Sequence, residues 1–440
     1  MISTIVFILM LAVAIAFFTR NVRKISRNIK LGKDINRKDN PVKRWWLVFK
    51  VAIFQSKMMG LPIAGILHVF VYAGFILVNI EMLEVMVDGI TGSHRAFSFL
   101  GKFYPVIISA TEFFALLVII GCVVFLFRRN VIRLPRFWKP EMTSWPRLDA
   151  NIILLTEVVL MTSVFFLNAS DYILQTREFG HYEQVGSFFL SSFFVPLIQN
   201  LPSETLVLID RSCWWLHIAG IMLFLNYIPY SKHFHVFVSF PNVYFSKLEP
   251  AGKIANMPSI TREIKSMLGK PVDPEENVDM AAMSFGAQDI KDLTWKNLMD
   301  AYSCTECGRC TRVCPANITG KKLSPRKLMM DARDRLELTG KNIDKKGVDY
   351  KDDKSLFDFI SAEELWACTT CNACTNECPV NIDQVSLVIE MRRYLVMEKA
   401  AAPGELNAIF SNIENNGAPW QFSQQDRLLW ANELYINEKA

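Results

Sequence analysis

Charge is scarce in this 440-residue sequence. Asp, Glu, Lys and Arg make up 21% of it, against 51% hydrophobic residues, and the formal net charge is only +5. So small an excess excludes a general attraction to nucleic acid. Cysteine is also scarce outside two short stretches: eight of the ten cysteines fall in Cys304–Cys314 and Cys368–Cys378, leaving Cys122 and Cys213. No two cysteines are adjacent, and none follows Cys378. Mean hydropathy is positive, +0.21, which points away from a wholly soluble chain.

The apolar residues are gathered into runs at about 2–18, 60–87, 103–127, 150–169 and 213–230. Each is near the roughly 20 residues that cross a bilayer as helix. The first has no basic residue before it and no small-residue cleavage site after it, so it reads as an anchor and not as a signal peptide. Ten Lys or Arg residues lie from Arg20 to Arg44 and six from Arg128 to Arg147, whereas the other loops are poor in them. The positive-inside rule then puts the N-terminus outside and everything after Tyr230 in the cytoplasm. Cysteine usage agrees, because cluster thiolates are assembled on the reducing side. The run "GSFFLSSFFVPLI" (186–198) is too short to span and is expected on the outer surface or folded back onto the bundle.

Four of the six histidines, His68, His217, His233 and His235, lie in or beside the second and fifth runs. An imidazole in lipid is costly unless bonded, which makes each a functional candidate. Eighteen residues separate His217 from His235, five helical turns, so the two would share a face near opposite membrane surfaces. A b-type haem needs axial imidazoles from facing helices and small residues where the porphyrin lies. Ala64, Gly65, Ala73 and Gly74 surround His68, and Ala219 and Gly220 follow His217. The alternative is that these histidines bond helix backbones or sit at the lipid interface. Acids within the spans, deepest at Glu112 and Glu157, with Glu81 and Glu84 nearer the outer end of the second, are candidates for proton handling or for bonds within the bundle.

The cysteine stretches read "CTECGRCTRVCPA" (304–316) and "CTTCNACTNECPV" (368–380). Both follow C-x2-C-x2-C-x3-C-P, the spacing that wraps a 4Fe–4S cube, with the fourth thiolate crossing to the other cluster. The expected sets are Cys304, Cys307, Cys310 and Cys378 for one cluster, and Cys368, Cys371, Cys374 and Cys314 for the other. Zinc would take paired ligands instead of two runs of four ending in Cys-Pro.

Two resemblances follow from these motifs. "GILHVFVYAGF" with "WWLHIAGIMLFLNYIPYSKHFHVF" resembles the five-helix cytochrome b of the nitrate reductase gamma subunit, over roughly residues 1–245. The resemblance implies one haem b between His68 and His235. It also marks His217 for a second, outer haem, but Val78 stands where the family has that haem's partner, so Met82 or His94 would have to serve. His233 is a bystander, or a substitute for His235. "CTECGRCTRVCPANITGKKLSP", "LWACTTCNACTNECPV" and "NIENNGAPW" resemble the helical ferredoxin domain of heterodisulfide-reductase-like proteins, over roughly 285–425. Catalytic subunits of that family carry Cys-Cys-Gly segments that are absent here, which implies a separate Cys-Cys-Gly-type iron–sulfur partner.

The expected architecture is an all-α five-helix membrane bundle (1–245), a linker (246–284), a mainly α-helical dicluster domain (285–400) and a C-terminal tail (401–440). The tail's Trp420 and Phe422 are candidates for docking a partner. The expected function is a multi-pass subunit of the bacterial inner membrane in the respiratory chain, passing electrons between menaquinone or another quinone, haem b and two 4Fe–4S clusters. An electron-transfer flavoprotein is the competing partner, and a non-enzymatic redox-sensing anchor the competing class.

Overall fold

The computed structural model describes residues 2–186, 188–271 and 285–431. Among them there are helices, one isolated bridge from Lys33 to Thr294, and no strand. Five helices are long and apolar enough to cross a membrane: α1 (Ile2–Ile29), α2 (Pro62–Thr91), α3 (Tyr104–Asn130), α4 (Ser144–Thr176) and α5 (Ser203–Tyr227). Proline opens α2, where its missing N–H costs nothing, and Gly92 closes it at φ +77°, its N–H bonding the Asp88 carbonyl.

The fifth helix begins ten residues before its apolar run. Asp210 and Arg211 stand just before that run in sequence, but the Tyr182 hydroxyl donates to the Asp210 carboxylate at 2.9 Å, so the helix can include the acid. The bundle packs closely at small residues. A Cβ on Gly74 would stand 2.2 Å from a Val118 methyl, and one on Gly220 would stand 2.5 Å from a Leu160 methyl. These two glycines therefore serve helix contact and not a porphyrin face. Val78, Ala115, Val118, Cys122, Leu160, Met161 and Phe165 form one buried cluster between these helices.

Of the stretch 186–198, Ser187 lies outside the described residues, and the rest folds back onto the bundle. Phe188 packs on Tyr104 and Ile108. The Leu190 N–H and Asn168 side chain donate to Glu112 at 2.8 and 3.1 Å. Glu112 is thereby a bonded carboxylate of the bundle.

Beyond the bundle come α6 (His235–Tyr244), α7 (Trp295–Ser303), α8 (Arg309–Val313), α9 (Pro325–Lys346) and α10 (Ala373–Glu377). Thr294 and Asn297 close a capping box at the start of α7. Ser324 caps α9, and Lys24 and Arg27 of α1 pair with Asp344 near its end. The charged loop after it is also engaged, since Arg335 bonds Asp352 at 2.7 Å and Asp289 at 2.6 Å.

Contacts divide the chain differently from the four expected segments. Residues 1–255 and 289–386 form one unit, so the bundle and both cysteine motifs fold together. Arg326, 1% exposed, ties them by donating to the Arg136 carbonyl at 2.6 Å and to Glu141 at 2.7 Å. The second unit is 256–288 with 387–440. Its described part holds α11 (Gln384–Met397, entered partway) and α12 (Gly404–Asn416). Gly286, at φ +72°, lies so near the Glu390 carbonyl that a Cβ would stand 2.3 Å from it. Most of the expected linker "KPVDPEENVD" (270–279) lies outside the described residues.

Candidate functional site

The two cysteine motifs share a backbone design. In each, the residue before the second cysteine and the residue after it have positive φ: Glu306 (57°) and Gly308 (73°), then Thr370 (54°) and Asn372 (59°). Two left-handed residues in three curl the chain round a centre and turn amides towards it. At Gly308 the choice of glycine is steric as well, since a Cβ would stand 2.7 Å from the Arg326 guanidinium. The amides of Thr370 and Ile382 donate to the sulfurs of Cys368 and Cys378, each at 3.4 Å.

All ten cysteines are free. Cys304, Cys307, Cys310 and Cys378 enclose a small cavity together with Arg326 and Gln384. Burial, with a smaller contribution from charge on Cys307, raises the thiol pKa values there to about 11 at Cys304, where Arg333 opposes the rise, and to about 12 at Cys378. In the second motif burial raises Cys374 to about 12, with charge on Cys368 and Cys314 adding to it. Cys314 is likewise raised by burial and then by charge on Cys368 and Cys371. The fourth cysteine of each motif thus lies among the thiols of the other. Among the described residues no three His, Cys, Asp or Glu side chains close on a single ion. Cys371 is the exposed cysteine of the eight, and Cys307 and Cys368 are half-buried.

His68 and His235 come together from α2 and α6, their ring centres 6.5 Å apart and their planes inclined by 46°. Two imidazoles bonded at roughly 2 Å to opposite sides of one metal have centres about 6 to 6.5 Å apart. The outward nitrogens are taken: His68 Nδ1 donates to the Gln55 side-chain oxygen at 2.9 Å, and His235 Nδ1 to the Lys232 carbonyl at 3.1 Å. Such bonds fix the tautomer and leave Nε2 of each ring free to bind a metal. Both rings border a cavity of about 300 Å³ that Ala64 also lines. Its far wall is Cys307, Arg309 and Pro379, so it reaches the first cysteine set.

His233 borders the same cavity, with its ring 5.4 Å from that of His235. Its Nε2 is buried without a partner, and burial lowers its pKa to about 3. His217 is buried against α4, its Nδ1 donating to the Leu160 carbonyl at 3.1 Å. The possible partners for an outer haem are placed otherwise. Val78 belongs to the packed core, Met82 packs around Phe7 and Val85, and His94 stands beside His181 and Asp171.

Several residues around these sites gave no signal in sequence. Gln55 and Lys232 act by holding ring nitrogens. Glu306, between two motif cysteines, is 3% exposed and paired with Lys232 and Arg333. Arg309 joins α8 to the segment before α2, donating to the Lys57 carbonyl at 2.9 Å. Lys57 in turn donates to the Cys378 carbonyl at 3.3 Å.

A family model of the 4Fe-4S dicluster domain matches residues 303–382. The chain is 27% identical to a Bacillus subtilis protein described as a probable iron-sulfur-binding oxidoreductase, FadF, over 98% of this chain and 61% of that one. It is 30% identical to the EtfAB:quinone oxidoreductase of Syntrophomonas wolfei, over 92% of this chain and 56% of the relative. One subunit of the dihydromethanophenazine:CoB–CoM heterodisulfide reductase of Methanosarcina mazei is 31% identical over 34% of this chain and 38% of its own. The chain therefore spans about three-fifths of the first two relatives. No solved structure matches it. Residues 303–382 are thus a 4Fe-4S dicluster domain, on a chain that is similar along almost its whole length to iron–sulfur oxidoreductases.

Proposed function

We propose that this chain is the membrane-embedded electron-transfer part of a quinone-linked oxidoreductase. In this reading His68 and His235 hold one haem b, and the eight motif cysteines hold two 4Fe–4S clusters in the crossed sets given above. The observation that carries it is the His68–His235 pair: spaced for two-sided ligation, capped at both Nδ1 atoms, and bordering a cavity that ends at Cys307. Haem and cubane clusters supply one-electron transfer when bound.

The chain's own residues would order that transfer. Cys307 puts the Cys304/Cys307/Cys310/Cys378 set next to the histidines, and exposed Cys371 puts the other set at the surface where a partner can approach. Gln55 and the Lys232 carbonyl hold the imidazoles in their ligating tautomer, while sulfur-directed amides and the Arg333 guanidinium near Cys304 favour negative charge on the thiolates. The loop charges support a multi-pass protein of the bacterial inner membrane, N-terminus outside and clusters in the cytoplasm.

For the soluble partner, coverage favours an electron-transfer flavoprotein. The EtfAB:quinone relative matches 92% of this chain, membrane half included, whereas the heterodisulfide reductase relative matches 34%. A Cys-Cys-Gly-type chain remains the partner in the second reading. The test is purification from native membranes with identification of what co-purifies, followed by addition of a menaquinol analogue. The proposal expects a quinol-dependent change in the haem absorption and in the cluster electron paramagnetic resonance. A haem that does not respond to quinol, or no haem at all, would overturn it in favour of the non-enzymatic redox-sensing anchor.

A further inference from the structure

Between α1 and α2 lies a helix that does not span. Residues Pro41–Leu47 are α-helical and Val48–Ile53 continue as one π-helical turn. Asn40 caps the start with its side chain, and Pro41 follows it. The segment wears its polarity inside out. Arg44, 1% exposed, points inward, donating to the Tyr244 and Ser246 carbonyls at 2.8 and 2.9 Å. Val48 and Val51 share that inner face, packed against Val243. Outward, Val42, Trp45, Trp46 and Phe49 are 79%, 56%, 66% and 46% exposed, at the i, i+3, i+4, i+7 spacing of one helix face. Phe54, 72% exposed, extends the patch after the π turn.

Four observations say what covers this face. The segment is tethered at both ends to helices long and apolar enough to span, so it lies at the end of the bundle where α1 leaves and α2 begins. Its apolar surface runs on into exposed Met59, Ile63 and Ile66 at the start of α2, the surface such a helix turns to lipid. Its exposed charges, Lys43 and Lys50, are basic, and no acidic residue occurs between Asp39 and Glu81. Paired tryptophans flanked by lysines are what the headgroup boundary selects.

We infer that residues 41–54 form an in-plane membrane helix. Its Val42, Trp45, Trp46, Phe49 and Phe54 face is sunk into the headgroup–acyl boundary of an anionic leaflet. The inner side of the same stretch carries the redox site. Val51, Ala52, Gln55 and Met58 line the cavity of His68 and His235, and Lys57 bonds the Cys378 carbonyl. The helix thereby sets the height of the histidine pair and the first cysteine set above the hydrocarbon. The inference rests on the bundle being in a membrane, and not on quinone or flavoprotein chemistry.

The test uses the full-length protein in its own membranes, with p-benzoylphenylalanine replacing Trp46 or, separately, Phe49, and illumination. Phospholipid adducts at both positions are expected, while the same group at Val48 should cross-link within the chain. Adducts to another polypeptide at Trp46 would overturn the inference and make this face a subunit contact. Absence of any adduct, with Trp46 open to a water-soluble quencher, would overturn it as well. A second measurement covers poor insertion of the photoreactive group. In nanodiscs of brominated phosphatidylcholine and phosphatidylglycerol, the Trp45→Phe/Trp46→Phe variant should lose quenchable emission out of proportion to two tryptophans of ten. Loss no greater than that share, or unchanged when phosphatidylglycerol is omitted, would count against an anionic leaflet as the occupant.

Discussion

His68 and Cys307 border one cavity, although one belongs to a helix of the bundle and the other to a cysteine motif near the opposite end of the chain. The bundle and the motifs meet there through buried ion pairs and backbone bonds, within a single folded unit. A bound electron carrier between the histidines would therefore stand directly beside the first cysteine set.

Non-haem iron should be about eight atoms per chain, with matching acid-labile sulfide, because eight thiols form two complete sets of four. Cys122 is buried in the α3–α4 core, and Cys213 lies within α5. Alanine at either position should leave the iron count unchanged. Zinc in place of iron, or half the iron, would refute the crossed sets.

His68→Ala should abolish the b-type absorption while the protein still inserts. Gln55→Leu should keep the haem but shift its midpoint potential, because the outer nitrogen of His68 loses its acceptor. Redox titration of purified protein reads both. An unaltered spectrum in His68→Ala would show that the 6.5 Å pairing of the rings has another purpose.

Glu306→Gln should destabilise the cysteine region by about 3 kcal/mol, the usual cost of leaving buried partners unpaired. Burial alone would raise the Glu306 pKa, but Lys232 and Arg333 outweigh it and hold the carboxyl below its ordinary 4.5. A depressed folded-state value means the contribution is present above about pH 5 and is lost as the pH falls through that lower value. The wild-type protein should accordingly lose cluster absorption as the pH falls below about 4.5, and Glu306→Gln should flatten this limb. An identical acid profile in the two proteins would remove the pair from the account.

Truncation after Ala400 should release a soluble partner from membranes and leave haem and both clusters in place. The segment removed exposes Phe410, Ile413, Trp420, Phe422 and Trp430, all at least 42% accessible. Affinity purification followed by iron analysis separates the outcomes. Loss of clusters on truncation would make α12 and the aromatics after it part of the domain's own core.

Much of this was legible in the sequence, for definite reasons. Cluster ligation constrains spacing as well as residue type, so Cys304–Cys314 and Cys368–Cys378 announce themselves, and long apolar runs announce spans. What escaped depends on distant partners. Asp210 shortened the fifth span on paper because Tyr182, 28 residues earlier, supplies its bond only in the fold. Gly74 and Gly220 suggested room for a porphyrin, but the space beside a glycine belongs to whatever helix packs there, here Val118 and Leu160. The helix at 41–47 was invisible as hydropathy because it is only seven residues long and basic on its hidden side.

Val78 has an electrical consequence. Packed among Ala115, Val118 and Leu160, it fills the middle of the bundle with hydrocarbon side chains, while His217 beyond it is tied to a backbone carbonyl. If the histidine pair holds an electron carrier as proposed, this half of the bundle would insulate it, and electrons entering through the cysteine motifs would stop at that pair near one surface. A full membrane crossing would cost or yield about 2.3 kcal/mol per electron at 100 mV. A stop that close to the surface senses only a small fraction of the field. Electron transfer through this chain should therefore run at nearly the same rate in energised and uncoupled membranes.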